Sequence, residues 1–319
     1  MLKVKKLRTQ FRVGEQVLRA VDGVSFEVPE ESVVGIVGES GSGKSVTALS
    51  ILNLLSDNGK IESGEVEWQG KKVDTFNKEE LKSFRGGEIG LIFQNPLSSL
   101  NPVFTVGNQL IETICLHQKV DKKEAEKIAI DLLTKVNIPS AETRIHNYPH
   151  QFSLGMCQRI MIAITLAMQP KLLIADEPTA SLDVTIQAQI LALLHELKSE
   201  YKMSILLISH DLGVIAQECD YILIMYLGKI VEKGTPEQIF GDPLHPYTQA
   251  LINAIPIPDP TQKKKKTLLK GDIPSPLDLP KGCRFHPRCP KAMPECKKKE
   301  PELIIREDRE VACLLYQDN

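Results

Sequence analysis

Eight consecutive residues, Gly38-Glu39-Ser40-Gly41-Ser42-Gly43-Lys44-Ser45, fill every fixed position of the pattern G-x-x-x-x-G-K-[ST]. Glycines spaced in this way let successive backbone N–H groups turn inward around anionic oxygens, at a helix N-terminus whose dipole already favours negative charge. Lys44 would then reach the β- and γ-phosphates of a nucleoside triphosphate, and Ser45 would offer its hydroxyl to Mg²⁺. A flexible Gly/Ser turn would share the composition but not the flanks. Ser32 to Val37 reads as a buried strand and Ser45 to Leu55 as a helix, the context that the chemistry needs.

Three further groups stand at the ends of apolar runs. Leu172-Leu173-Ile174-Ala175 leads into Asp176-Glu177. Asp176 can hold Mg²⁺ through water, while Glu177 can accept a hydrogen bond from an attacking water and polarise it toward the γ-phosphate. A strand meeting a polar turn is common, but beside a phosphate loop the two acids become the other half of one site. Ser204 to Ser209 places His210 just past another apolar strand, where a γ-phosphate contact outweighs the usual structural role of a lone histidine. Gln94 follows a third such strand, starting at Glu88, and is placed to contact Mg²⁺ and the attacking water.

An α/β core must position these groups. Residues 2–30 alternate apolar and polar in short segments with turn signals at Val13-Gly14-Glu15 and Asp22-Gly23, which predicts an antiparallel sheet ahead of the loop; Phe11 lies in it. Gly64 to Gly70 reads as another short strand. From Thr105 to Met168 the spacing is helical: Val106, Leu110, Ile111 and Ile114 share one face, and Ile128, Leu132, Leu133 and Val136 another. Strand and helix then alternate: strand Lys171 to Asp176, helix Val184 to Glu200, strand Ser204 to Ser209, helix Asp211 to Glu218, strand Asp220 to Met225. Such alternation implies parallel strands with right-handed crossovers and a nucleotide at their carboxyl ends. From Pro236 onward regular periodicity fades. Pro256, Pro258, Pro260, the lysines 263–266, Pro274, Pro276 and Pro280 predict a chain fixed by local contacts and metal rather than by a core of its own.

Composition bounds the reading. The 319 residues, 42% hydrophobic and 25% charged, are ordinary for a globular protein with one large domain and appendages. A net charge of −2 gives no overall drive toward nucleic acid. The longest apolar runs, such as Tyr221 to Leu227, have strand length, so no membrane span is expected; Met1 to Lys6 leads into no apolar h-region, so neither is a secretory signal. Of seven cysteines, Cys115, Cys157 and Cys219 are scattered, whereas Cys283, Cys289, Cys296 and Cys313 crowd one stretch. In a reducing compartment such a crowd is more often metal ligation than disulfide.

Taken together, the chain resembles the ATP-binding cassette (ABC) ATPases. The resemblance rests on the phosphate loop, Gln94, Phe152-Ser153-Leu154-Gly155-Met156, Asp176-Glu177, Ala180-Ser181-Leu182-Asp183 and His210, in the family's order. It implies a phosphate-loop parallel-sheet core with an N-terminal antiparallel β-subdomain and a helical subdomain, and a head-to-tail dimer in which Ser153, Gly155 and Asp183 of one cassette complete the γ-phosphate site of the other. Phe11 resembles the aromatic that stacks on adenine. The signature departs from the family: Leu154 replaces a glycine and Cys157 a common arginine, which puts the efficiency of the partner's site in question.

A closer resemblance runs through Phe93 to Pro102, Tyr148 to Phe152, His245 to Thr248 and Gly282 to Pro290, which look like the ATPase subunits of bacterial dipeptide and oligopeptide importers. It implies an ABC ATPase domain at residues 1–235, with the helical subdomain inserted at about 95–170, and an importer-type extension at 236–319. It also implies two transmembrane permease subunits, a second ABC ATPase subunit that is a sister chain or another copy, an extracytoplasmic peptide-binding protein, and a peripheral place on the cytoplasmic side of the membrane. The family associates the C-terminal cysteines with an iron–sulfur cluster. Gaps of five, six and sixteen residues lack the tight knuckles of zinc ribbons, and four thiolates suffice for a [4Fe–4S] cluster; zinc and unligated thiols stay open, with His286 a ligand only if one cysteine is absent. Two rival readings remain: a soluble ABC protein of DNA repair or translation, and an assembly subunit that binds ATP with little turnover.

Overall fold

The computed structural model describes residues 1–180, 182–255 and 271–317. Ser181, the prolines 256, 258 and 260, and the lysine run lie outside the described residues. In chain order the elements are β1 (Leu2–Val13), β2 (Gln16–Val28), β3 (Val33–Val37), α1 (Lys44–Ile51), β4 (Gly59–Trp68), β5 (Lys71–Lys72), α2 (Lys78–Phe84), β6 (Ile89–Ile92), α3 (Pro96–Ser99), α4 (Val106–Gln118), α5 (Lys122–Lys135), α6 (Ala141–Arg144), α7 (Leu154–Leu166), β7 (Leu172–Asp176), α8 (Val184–Tyr201), β8 (Ser204–Ser209), α9 (Leu212–Glu218), β9 (Tyr221–Tyr226), β10 (Lys229–Gly234), α10 (Pro236–Gly241), α11 (Pro246–Ala254), β11 (Ile304–Arg306) and β12 (Arg309–Val311). They divide into two compact units: Met1–Val28, Val33–Asp74 and Leu207–Asn319 in the first, Pro29–Ser32 and Thr75–Leu206 in the second.

The first unit holds an antiparallel sheet in the order β2-β1-β4-β5. Strands β1 and β2 pair from Leu2↔Val28 to Val13↔Gln16. The turn between them needs Gly14, whose φ is +61°. Along β1, Leu2 and Val4 and then Leu7 and Thr9 are buried, an alternation that slips by one residue at Lys5 and Lys6, where the register shifts. Strand β3 runs parallel to β9, with Val34 opposite Tyr221 and Val37 opposite Ile224. All five residues of β3 are buried, so it reads as a continuous apolar run rather than an alternating one.

The chain beyond Pro236 corrects the expectation of a tail without a core. Thr235 and Gln238 form a capping box at the start of α10, and Pro246 begins α11, where the His245 Nδ1 accepts the Tyr247 N–H at 3.0 Å. Strand β12 pairs antiparallel with β10, Glu232 opposite Val311, and β11 pairs with β12. Glu307 and Asp308 turn the hairpin with φ of +51° and +57°. Leu244, Val311 and Cys313 form an apolar cluster against which Ile304 and Tyr316 pack. Phe285 is 1% exposed, its ring 5.3 Å from that of Tyr226, 5.4 Å from Tyr247 and 5.6 Å from His245. Three-residue strands carry no periodicity of their own, so this seat is set by partners far along the chain.

In the second unit β6 runs parallel to β7, from Ile89↔Leu172 to Ile92↔Ala175. Helices α3 to α7 fall between these strands in the chain, and α4, α5 and α7 pack on one another. Val106, Leu110 and Ile114 are buried on α4 and Leu132 and Leu133 on α5, each Leu or Ile contributing about 1.5–3 kcal/mol. Among the described residues no helix is long and apolar enough to cross a membrane.

Candidate functional site

In the first unit, the phosphate loop leaves the end of β3 and enters α1. Gly41 and Gly43 have φ of +77° and +102°, a backbone that L side chains rarely adopt. The loop is also walled by main chain: a Cβ on Gly38 would stand 2.1 Å from the Met225 carbonyl oxygen, and one on Gly43 would stand 2.3 Å from that of Ala20. Gly43 caps α1 with no side-chain hydrogen bond, which leaves the helix's first N–H groups to the loop's own cradle. Lys44 is 4% exposed and donates through Nζ to the carbonyls of Gly38 at 2.9 Å and Glu39 at 3.2 Å. Ser42 Oγ is buried with no hydrogen-bond partner among the described residues, an orphaned polar atom of the kind a ligand oxygen can satisfy. Ser45 follows at the second helical position and Ser40 is exposed at the loop's rim. Phe11 is half-buried on β1, its ring so close over Gly59 that a Cβ there would stand 2.5 Å away. His210 is exposed just past β8, beside Asp211, which caps α9.

In the second unit, Asp176 ends β7 and Glu177 follows it with φ of +47°. A left-handed glutamate costs on the order of 1–3 kcal/mol, and such strain concentrates at functional sites. Gln94 donates through Nε2 to Glu177 Oε2 at 3.0 Å, so two residues read as handling one water are brought together. Nothing in the sequence pattern signals the left-handed backbone.

The segment Ser153-Leu154-Gly155 and Asp183 also converge within that unit. With Arg159 and Ile186, they line one cavity of about 840 Å³. Ser153 caps α7, its Oγ accepting the Met156 N–H at 3.3 Å; Asp183 caps α8, accepting the Ile186 N–H at 3.0 Å. Leu154 is the first residue of α7 and has no left-handed φ, so the backbone there does not require glycine. Gly155 is different, because a Cβ would stand 2.8 Å from Ile186 Cγ2. Cys157 is buried, its Sγ donating to the Pro149 carbonyl at 3.4 Å, and burial raises its thiol pKa.

The four clustered cysteines lie in the first unit. The Cys283 N–H donates to the Cys296 carbonyl at 2.8 Å, and the Met293 N–H to Cys296 Sγ at 3.4 Å. Burial pushes the thiols of Cys283 and Cys313 up to about 11, and the neighbouring cysteines add to the rise in both. The donor chemistry suits a soft metal. The arrangement as it stands does not: among the described residues no three Cys, His, Asp or Glu side chains form a group that could hold a metal ion.

Two contacts of the phosphate loop escaped the sequence reading. Arg288 forks onto the Glu39 carboxylate, and the Tyr247 hydroxyl accepts the Glu39 N–H. Both partners lie more than 200 residues from Glu39, beyond any local signal.

The comparisons agree with this architecture. A family model described as ABC transporter matches residues 21–180, and one described as the C-terminal region of oligopeptide/dipeptide transporters matches residues 231–296. The oligopeptide transport ATP-binding protein AppD of Bacillus subtilis (strain 168) is 46% identical over 320 aligned positions, covering 100% of this chain and 97% of its own. The dipeptide transport ATP-binding protein DppD of Escherichia coli (strain K12) is 45% identical over 314, covering 98% and 96%. Among solved structures, the ATP-binding cassette MJ0796, a dimer in a post-hydrolysis state with ADP and Pi, superposes with a TM-score of 0.67 at 27% identity, covering 74% of this chain and 99% of that one. Fold and loop thus define an ABC ATPase. Within that class the chain belongs to the family of oligopeptide and dipeptide transporter ATP-binding proteins.

Proposed function

We propose that this chain is the ATP-hydrolysing subunit of an ABC importer that carries peptides across the cytoplasmic membrane. The observation that carries the reading is the phosphate loop, with left-handed Gly41 and Gly43, main-chain walls and Lys44 held across its mouth. Residues Gly38 to Ser45 bind the triphosphate of MgATP, Phe11 stacks on adenine, and Ser45, Gln94 and Asp176 serve Mg²⁺. Glu177 polarises the attacking water with Gln94, and His210 contacts the γ-phosphate. Residues 1–235 form the ATPase domain, with the helical subdomain at about 95–170, and 236–319 the extension. The named relatives, which are oligopeptide and dipeptide transport ATP-binding proteins, support peptides as the substrate class.

Membrane partners follow from the same reading. Phe93, Leu97, Val103 and Phe104 are 45% to 71% exposed in the second unit, an apolar surface suited to docking two permease subunits from the cytoplasmic side. An extracytoplasmic binding protein delivers the peptide. A second ATPase subunit, sister chain or copy, faces this one head to tail, so that Ser153, Gly155 and Asp183 complete its site. The test is ATP-dependent uptake of labelled di- and oligopeptides into vesicles carrying the assembled complex. Uptake that disappears with Lys44→Ala supports the reading. ATP hydrolysis with no co-purifying membrane protein favours a soluble ABC protein, and intact uptake without turnover at this site favours an assembly role.

For the extension, the finer reading is that Cys283, Cys289, Cys296 and Cys313 hold a structural [4Fe–4S] cluster, with zinc the alternative. Their crowding and soft-donor chemistry support it. Anaerobic purification should give near four iron and four sulfide per chain, and a metal-free protein with an unchanged melting temperature overturns it.

A further inference from the structure

Glu39 brings a carboxylate to a loop whose proposed ligand is a polyanion, so its charge must be dealt with. Arg288 meets it in a two-pronged pair, Nη1 to Oε2 at 2.6 Å and Nη2 to Oε1 at 3.1 Å. The Arg288 side chain is 8% exposed and its guanidinium lies 5.9 Å from the centre of the Tyr226 ring. Tyr226 also touches Tyr247, at 4.7 Å between ring centres, and the Tyr247 hydroxyl accepts the Glu39 N–H at 3.0 Å. The Glu39 carbonyl in turn accepts from Lys44 Nζ. One loop residue is thus held through side chain, N–H and carbonyl, two of the three by the segment after Pro236.

We propose that Arg288 masks the Glu39 carboxylate and thereby sets the affinity of the phosphate loop for a nucleoside triphosphate. Arg288 is a positioning residue, acting on the ligand through Glu39. A bidentate guanidinium–carboxylate pair is strong and directional, and a partly buried one is little screened by salt. If Arg288 is lost, an uncompensated negative charge stands at the loop and repels the polyphosphate. The proposal rests on the reading of residues 38–45 as the ATP site.

The experiment is a titration of the full chain with MgATP, comparing the parent with Arg288→Met, Glu39→Gln, the double variant and Lys44→Ala. Affinity should follow the charge left at the pair. Glu39→Gln, with a bare guanidinium, binds severalfold tighter than the parent; the double variant, neutral like the parent, falls near it; Arg288→Met binds about tenfold weaker, a deficit that shrinks as salt rises from 0.05 to 0.5 M. Arg288→Met binding like the parent overturns the proposal. So does a double variant as weak as Arg288→Met, because packing and not charge would then be the cause. Should Arg288→Met not fold, Glu39→Gln decides alone, and weaker binding by that variant is fatal. Failure of the site itself shows separately, as parent-like binding by Lys44→Ala.

Discussion

The phosphate loop ahead of α1 and the segment Ser153-Leu154-Gly155 at α7 both bring glycine to a helix N-terminus, and they use it for different reasons. In the phosphate loop, Gly41 and Gly43 carry left-handed φ and any Cβ on Gly43 runs into the main chain of Ala20. Backbone cannot move aside as a side chain can. In the segment before α7, Leu154 occupies an ordinary helical position, and the Cβ barred at Gly155 meets only the methyl of Ile186. The cap differs as well: Ser153 spends its own hydroxyl on the Met156 N–H, whereas Gly43 has no side chain to spend. At Gly41 the left-handed φ, and at Gly43 both φ and the walls of main chain, stand against any side chain. At Leu154 the backbone of this chain makes no such demand.

The largest expected effect separates binding from chemistry and leaves both segments untouched. Glu177→Gln should bind MgATP near normally while turnover falls by two to four orders of magnitude, as loss of a general base predicts. Steady-state hydrolysis beside nucleotide titration checks it; near-parent turnover removes Glu177 from its role. Next comes the comparison itself. Gly43→Ala should lose roughly a hundredfold or more in MgATP affinity, because strained φ and a backbone clash add on the order of several kcal/mol. Gly155→Ala should leave the chain's own MgATP affinity within about threefold, since the segment is read as serving the partner's site, and should cost the assembled complex little turnover, since Ile186 can change rotamer. Equal losses in the two variants would erase the distinction.

Smaller effects sharpen it. Ser153→Ala should lower stability by about 1 kcal/mol through the lost cap, read as a shift in the denaturant midpoint at constant slope. Loss of uptake well beyond that stability change would show the hydroxyl acting on the partner's nucleotide. Leu154→Gly, assembled with the native partners, should raise turnover a few-fold if the leucine crowds the neighbouring site. Unchanged turnover means that the segment accepts leucine without cost, as its helical backbone allows.

Much of this was legible in the residues. The pattern from Gly38 to Ser45 names both its chemistry and its flanks, and β3 and α1 stand where those flanks predict, give or take the terminal turn. Apolar runs ending in Gln94, Glu177 and His210 located β6, β7 and β8 for the same reason: a buried strand has a short, unbroken signature. What was not legible depends on distance or conformation. The hairpin β11–β12 exists because β10 offers it an edge, and its six residues alone say nothing. The left-handed φ of Glu177 has no signature in the neighbouring residue types. Arg288 looks like one more basic residue in a cysteine-rich stretch until the fold lays it on Glu39.

That last contact also bears on how the protein is made. Glu39 and Arg288 are 249 residues apart, so the loop is synthesised long before its partner exists. At five to twenty residues per second the interval is roughly ten to fifty seconds, far longer than local loop closure takes. Throughout that interval the nascent phosphate loop has its glycines and its lysine but no guanidinium over its carboxylate. Its ion pair, as the fold has it, forms only once the cysteine-bearing segment has been translated.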